Sequence, residues 1–321
     1  MKGLSNAAAT LCVIDEEAAA QRVDNFLLRE LKGVPRSHVY RLLRSGEVRV
    51  NSRRVAATYR LQAGDRVRVP PVRVAVPAGE RRGPPPAADR AFPVVYEDEA
   101  VLVVDKPAGV AVHGGSGISF GVIERLRAAR SGPRFLELAH RLDRETSGLL
   151  MLAKKRSALT GLHAALREGR VRKQYLALVK GRFRGQGRRV TLPLRKYVTA
   201  EGERRVSVDA DAGYSSSTVF DVERAVAPYT LVRATLETGR THQIRVHLAH
   251  LGHPILGDDK YGDFELNKML AKEGLKRMFL HSARLEFDHP ITRERLVLEA
   301  PLASELAAFL DFIAALHGET F

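Results

Sequence analysis

The sequence predicts an α+β protein: a mixed, largely antiparallel central sheet with flanking helices, preceded by a small N-terminal α/β domain. Two observations carry this. Apolar runs of strand length are interleaved with helical patterns, yet many strand-to-strand links are short and turn-like, which suits a mixed sheet better than a regular parallel one. Between residues 77 and 91 the apolar periodicity disappears into Pro-Ala-Gly-Glu-Arg-Arg-Gly-Pro-Pro-Pro and similar sequence. That composition marks a stiff, extended linker and divides the chain in two.

Residues 1–20 read as a flexible, Ala-rich arm that turns acidic at Asp15, Glu16 and Glu17. The first domain spans residues 21–76. Val23, Phe26, Leu27 and Leu31 recur at helical spacing until Gly33 and Pro35 stop the helix. Ser37 stands where an N-cap would open a second helix, with Val39, Leu42 and Leu43 on its apolar side and His38, Arg41 and Arg44 on the other. Gly46 ends it. Short strands follow at Val48–Val50 and Val67–Val69, punctuated by turns at Asn51-Ser52 and Ala63-Gly64-Asp65.

The second domain, residues 92–321, opens with strands at Val94–Tyr96 and Val101–Val104, then a helix from about Phe120 to Ala129. Leu138 and Ala139 precede a charged loop, and Leu149–Ala153 follows Gly148 as a buried strand. A helix from Ser157 to about Glu168 comes next, then strands at Tyr175–Val179, Thr218–Phe220 and Leu231–Leu236. Thr238-Gly239-Arg240 turns into a helix expected to be capped by Thr241 and buried along Ile244, Leu248 and Leu251. A strand near Arg284–Phe287 and a helix from about Ser304 to Leu316 complete the chain.

With 321 residues, 45% hydrophobic and 28% charged, the composition is that of a soluble two-domain protein. The formal charge of +15 favours a polyanionic partner, nucleic acid first. Residues 21–80 hold 13 Lys and Arg against 5 Asp and Glu, a net +8. Only Phe26, Tyr40 and Tyr59 accompany them, so phosphate contact is expected there rather than base stacking. No window approaches the length of a membrane-spanning apolar run, and residues 1–10 lack the core of a secretory signal. Cys12 is the only cysteine, which excludes an internal disulfide and a Cys-based zinc site and fits a reducing cytoplasm.

The most chemical stretch is the charged loop, where five ionisable side chains crowd into the six positions His140 to Glu145. Clamped between two buried strands, it is held as a reactive site requires. Asp143, surrounded by cations, is expected to stay ionised and could act as nucleophile or base. Glu145 lies two residues on, and paired acids suggest glycoside cleavage, but that chemistry needs one acid protonated and a basic loop opposes this. Arg240 and Arg245 flank a helix start, where either could meet Asp143 or a phosphate. Tyr175 on its strand is either core or a surface for a base taken out of its stack. The loop His113–Gly117 lacks both the nucleotide P-loop ending and the dinucleotide spacing. His242, His247, His250 and His253 fall within 12 residues, but no Asp or Glu lies between Arg240 and Gly257, so no metal is expected.

Two resemblances join these readings. Arg22–Leu27, Ser37, Arg44–Asn51 and Ala63-Gly64-Asp65 are similar to an S4 RNA-binding domain, with Ser52 standing where Gly is more usual. That likeness implies RNA contacts by Arg36, Arg41 and Arg44. His140-Arg141-Leu142-Asp143-Arg144-Glu145-Thr146-Ser147-Gly148-Leu149 resembles the signature of the RluA-type pseudouridine synthases. Lys106–Gly109, Lys173–Ala177 and Gly239–His247 resemble that family's other motifs, in its order. Within the family the likeness is greatest to the bacterial type C synthases of the large ribosomal subunit, on His113–Gly117, Ser119–Ile123 and Phe135–Leu138. The resemblance implies the pseudouridine synthase fold and isomerisation of uridine in 23S rRNA, or in an assembly intermediate of the large subunit, by a cytoplasmic monomer. It implies Asp143 as catalytic aspartate, Tyr175 against the uracil ring, Arg245 paired with Asp143, Ile244 packed nearby, and Arg141 displacing the target uridine. Neither water nor a redox change enters the product, so no cofactor or metal is expected.

Overall fold

A computed structural model describes residues 9–16, 18–31, 34–72, 92–114, 120–130 and 135–317. The chain divides into two compact units, Met1–Arg82 and Gly83–Phe321. The stretch expected as a linker, 77–91, lies outside the described residues.

In the first unit, β1 (Thr10–Val13), α1 (Val23–Glu30), α2 (Arg36–Ser45), β2 (Arg49–Val50) and β3 (Arg66–Val69) form two helices on an antiparallel sheet of order β1-β3-β2. The expectation of a flexible arm through residue 20 is corrected here. Thr10–Val13 pairs residue for residue with β3, and Ile14 and Ala18 are buried in the core. Four half-exposed residues with no turn signal around them give little periodicity, so this strand is recognisable only through its partner. The second helix starts one residue before Ser37: Pro35 is the N-cap, and no side chain caps it. Asn51 and Ser52 both take positive φ, 49° and 66°. The strain is supported by Asn51, whose amide donates to Asp65 at 2.7 Å and whose carbonyl accepts from the Arg66 N–H at 2.8 Å.

The second unit is built on one large sheet. In chain order its elements are β4 (Val94–Glu97), β5 (Val101–Lys106), α3 (Val122–Ala129), β6 (Glu137–Leu138), β7 (Ser147–Ala153), α4 (Arg156–Arg167) and β8 (Arg172–Lys180). Next come β9 (Arg188–Thr191), β10 (Leu194–Val198), β11 (Arg204–Val208), β12 (Ser217–Val226), β13 (Tyr229–Leu236) and α5 (Gln243–His250). The last are α6 (Phe264–Lys272), β14 (Leu280–Asp288), β15 (Arg295–Glu299) and α7 (Ser304–His317). The strand order is β4-β5-β7-β14-β8-β13-β12-β9, with β6 on β7 and β15 on β14. Only the β7–β14 pairing is parallel among those described. β10 and β11 stand apart as a separate hairpin.

The sheet is covered on both faces, so β7 is buried at every residue and β5 nearly so. Leu150 and Leu152 face a core that includes residues of α3, α5, α6 and α7, while Leu149, Met151 and Ala153 face the core beneath α4. β7 begins directly after the charged loop. Gly148 has φ +103°, and a Cβ there would lie 2.3 Å from the Ser282 carbonyl oxygen. Only glycine lets β14 come alongside at that point, which brings Tyr175 opposite Ser282 on the far side of β14.

Candidate active site

The charged loop is fixed from three directions. The Met151 N–H donates to His140 Nε2 at 3.1 Å, so this imidazole is neutral with its proton on Nδ1, and burial pushes its pKa down to about 3. Leu142 is buried in the core. Lys106, fully buried at the end of β5, donates to the carbonyl oxygens of Pro107, Val110 and Arg144 at 2.9, 2.9 and 3.1 Å. Burial pulls its amine down to about 7. Three acceptors match the three N–H bonds of an ammonium, so we assign the charged form at neutral pH.

Asp143 therefore projects from an anchored loop into a cavity of about 340 Å³ lined by Arg141, Lys173, Tyr175, Arg240, His242, Ile244 and Arg245, among others. A volume in this range suits one small ligand or a single nucleotide. Arg245 Nη1 lies 3.4 Å from Asp143 Oδ2, and His242 Nε2 lies 3.9 Å from the same oxygen. Among the described residues no hydrogen bond reaches Oδ1, which leaves one carboxylate oxygen for a substrate.

Arg245 has a stronger partner than the expected one. Its Nε and Nη2 donate to the two oxygens of Asp258, both at 2.7 Å, and Nη2 also reaches Asp259 at 3.3 Å. Asp258 is fully buried and also accepts from the N–H groups of Lys260 and Tyr261 at 2.8 and 3.0 Å. Burial pulls its pKa up, but the guanidinium and these backbone donors outweigh burial and hold it below the usual carboxylate value. Sequence reasoning did not single out Asp258, which follows the histidine-rich stretch and belongs to no motif there; only the fold carries it back to Arg245. A signal was present in Gly257 itself. Its φ is +74°, and a Cβ would meet the Arg277 carbonyl oxygen at 2.1 Å, marking a tight turn that aims the acids after it.

Helix α5 differs from its expected start. Thr241 does not cap it; His242 occupies the N-cap position with φ +54°, a left-handed conformation. Gln243 satisfies the preceding turn instead, its carbonyl accepting from the Arg240 N–H and Thr238 hydroxyl at 2.9 and 2.8 Å. The helix is buried from Gln243 through Leu248 rather than along one side. Ile244 lines the cavity from it. Arg240 stays exposed, its guanidinium 5.6 Å from the centre of the Tyr214 ring. Arg141 is exposed at the cavity wall.

Tyr175 is 5% exposed, and burial, reinforced by the Asp143 charge, holds its phenol well above the usual range. It is protonated at neutral pH and can donate a hydrogen bond. The four histidines go to separate tasks. His242 meets Tyr261, His247 meets the Ser216 hydroxyl at 2.8 Å, and His253 meets the Lys180 carbonyl at 2.9 Å, while His250 ends α5. Among the described residues no group of His, Cys, Asp and Glu is placed to hold a metal ion, and no helix is long and apolar enough to cross a membrane. In the first unit, Arg41 and Arg44 are exposed on α2 opposite the buried Leu42 and Leu43. Arg36 opens the same helix.

Residues 100–250 match the RNA pseudouridylate synthase family, and residues 21–67 match the S4 domain. The ribosomal large subunit pseudouridine synthase C of Salmonella typhimurium is 52% identical over 94% of this chain and 96% of its own. The enzyme of that name from Escherichia coli is 53% identical over 94% of this chain and 95% of its own. The chain belongs to the RNA pseudouridylate synthase family. Among solved structures, human RNA pseudouridylate synthase domain containing 1 aligns with a TM-score of 0.56 at 28% identity, covering 70% of this chain and 90% of that one. The chain is thus an isomerase of the pseudouridine synthase fold with an N-terminal S4 domain. Its family-matching segment holds Asp143, Tyr175 and Arg245, while Asp258 lies just beyond it.

Proposed function

We propose that this chain converts specific uridines of 23S rRNA to pseudouridine in the cytoplasm, acting as a monomer on the rRNA or on an assembly intermediate of the large subunit. The observation that carries the reading is Asp143: an anchored carboxylate lining a nucleotide-sized cavity, with Arg245 and His242 beside one of its oxygens. The near full-length likeness to large-subunit synthases supports the choice of substrate.

A uridine inside a stem cannot reach this cavity, so the target leaves its stack, with Arg141 at the rim taking its place and Arg240 meeting the backbone. Tyr175 and Ile244 bound the site of the uracil. Asp143 then either attacks C1′ or removes the C2′ proton; in both routes the N1–C1′ bond breaks and its electron pair leaves with the uracil. The base turns and C5 bonds to C1′, displacing Asp143 on the first route, or with the proton returned to C2′ on the second; C5 then loses its proton and N1 gains one. Arg245 holds Asp143 without needing to move, because Asp258 holds Arg245. Arg36, Arg41 and Arg44 of the S4 domain contact phosphates.

The test is tritium release from 23S rRNA carrying 5-tritiated uridine. The reading expects release by the wild-type chain without free uracil, and none by Asp143→Asn. Free uracil would make the chain a hydrolase; no release by the wild type would remove the activity altogether.

A further inference from the structure

One chain of contacts around Asp143 has no part in the reaction as described above. The N–H of Val206, in the β10–β11 hairpin, donates to the Tyr261 hydroxyl at 2.8 Å. That hydroxyl lies 2.7 Å from His242 Nδ1. His242 Nε2 in turn faces Asp143 Oδ2 at 3.9 Å. Since the phenol oxygen already accepts from Val206, its own proton is free to go to Nδ1. A neutral imidazole that accepts at Nδ1 carries its proton on Nε2, the nitrogen that faces the carboxylate.

The neighbourhood agrees with a neutral ring. Burial lowers the His242 pKa; Asp143 and Asp258 act to raise it, and Arg245 and Lys260 to lower it, with a net downward shift. Burial likewise pushes the Tyr261 phenol up to about 12, so it keeps the proton it donates. His242 holds φ +54° at the start of α5, a conformation that few side chains other than His, Asn and Asp tolerate. The rings of His242 and Tyr261 also meet edge-to-face, 5.5 Å between centres.

Tyr261 belongs with the hairpin as well as with the site. It packs on Leu194, Val206 and Val246 in a small separate core. Lys260 pairs with Glu203 beside the hairpin, and Arg205 donates to the Lys260 carbonyl at 3.1 Å. Along β10, Arg195, Lys196 and Tyr197 are all exposed. A shift of the hairpin is therefore passed directly to the Tyr261 hydroxyl.

We propose that His242 is a positioning residue for Asp143, oriented through the Tyr261 hydroxyl by the β10–β11 hairpin, and that its Nε2–H closes on Asp143 Oδ2 when RNA is bound. With Arg245 on the same oxygen, this fixes Oδ1 toward the sugar. The separation of 3.9 Å is too long for a hydrogen bond in the free chain, and such contacts commonly tighten in the substrate complex. The inference rests on the proposed isomerisation of uridine.

The test combines kinetics with a spectroscopic readout on the full chain. His242→Asn keeps a side chain suited to the left-handed backbone and able to meet Tyr261, but too short to reach Asp143. Its kcat on 23S rRNA should fall about thirtyfold with KM within about twofold. Tyr261→Phe should lower kcat about fivefold, and the double variant should be no worse than His242→Asn alone within about twofold, because Tyr261 acts through His242. Nitrogen-15 NMR of the imidazoles, with the His242 signals assigned by their loss in His242→Asn, should show Nδ1 unprotonated in the wild type and a change of tautomer in Tyr261→Phe. An Nδ1-protonated ring in the wild type, losses that multiply in the double variant, or an unchanged kcat in His242→Asn would each overturn the proposal. An inactive wild type would refute the isomerase reading instead, and the tautomer is measurable in either case.

Discussion

Of the three carboxylates that meet the Arg245 guanidinium, the two less exposed, Asp258 and Asp143, are held in opposite ways. Asp258 is fully buried, bound by Arg245 through two bonds of 2.7 Å and by two backbone N–H groups. Asp143 is 19% exposed, touches the same arginine at 3.4 Å, and keeps an oxygen without a hydrogen bond among the described residues. A carboxylate with all its acceptor sites filled is an anchor. One with a free oxygen in a cavity is available to a substrate. The pair shows how a basic site can keep a reactive acid: the arginine is fixed by two short bonds to the deeper acid and presents its Nη1 to the shallower one.

The largest expected effect separates the two functionally. Asp143→Asn should lower turnover by about 10⁴-fold or more, as loss of a group at the reacting atoms does, while thermal unfolding stays within about 2 °C. Asp258→Ala should do the reverse in kind. Removing the partner that holds the buried Arg245 through two short bonds should cost about 3–5 kcal/mol in urea unfolding. Activity falls with it because Arg245 is no longer held. If Asp258→Ala folds as stably as the wild type, the anchoring role is wrong.

Tyr175→Phe comes next. Since burial keeps this phenol protonated, its contribution is as a donor, and turnover should fall about 10²-fold with RNA affinity unchanged. An unchanged kcat would reduce Tyr175 to a packing surface.

The comparison is also readable in pH. The folded pKa of Asp258 is depressed, so its stabilisation is complete above the unfolded value of about 3.9 and is lost as pH falls through the folded one. Acid titration of unfolding should therefore be shallower in Asp258→Asn below about pH 4. An identical slope would mean Asp258 is not the paired acid. The smallest effect lies in the other unit. Replacing Arg41 and Arg44 together with Gln should weaken RNA binding and reduce the slope of log affinity against log salt by about 2; an unchanged slope would free α2 from phosphate contact.

The same two carboxylates show what can be read from a sequence. Asp143 sits in a dense run of charges between apolar strands, and both its loop and the buried β7 after it follow from local pattern. Tyr175, Arg245 and Ile244 are visible through periodicity and motif. Asp258 is not, because its importance comes from a fold that carries it back to a residue 13 positions earlier. Lys106 is hidden for a related reason. A lysine at the end of an apolar strand reads as the residue that reaches water, yet here it is enclosed by three carbonyl groups, one of them 38 residues away. The strand Thr10–Val13 and the hairpin β10–β11 are not legible in the sequence because half-exposed, basic or short segments leave no strong period. Their existence depends on Arg66–Val69 in one case and on Val246 and Tyr261 in the other. The helix start moved from Thr241 to His242 because Gln243, rather than a hydroxyl, satisfies the turn.

The most direct test of the account is pseudouridine mapping of 23S rRNA from cells lacking this chain, after complementation with the wild type or with Asp143→Asn. The account predicts that the wild type restores pseudouridine at a small set of sites and that Asp143→Asn, expressed and folded, restores none. Restoration by Asp143→Asn, or the same map in all three strains, would contradict it.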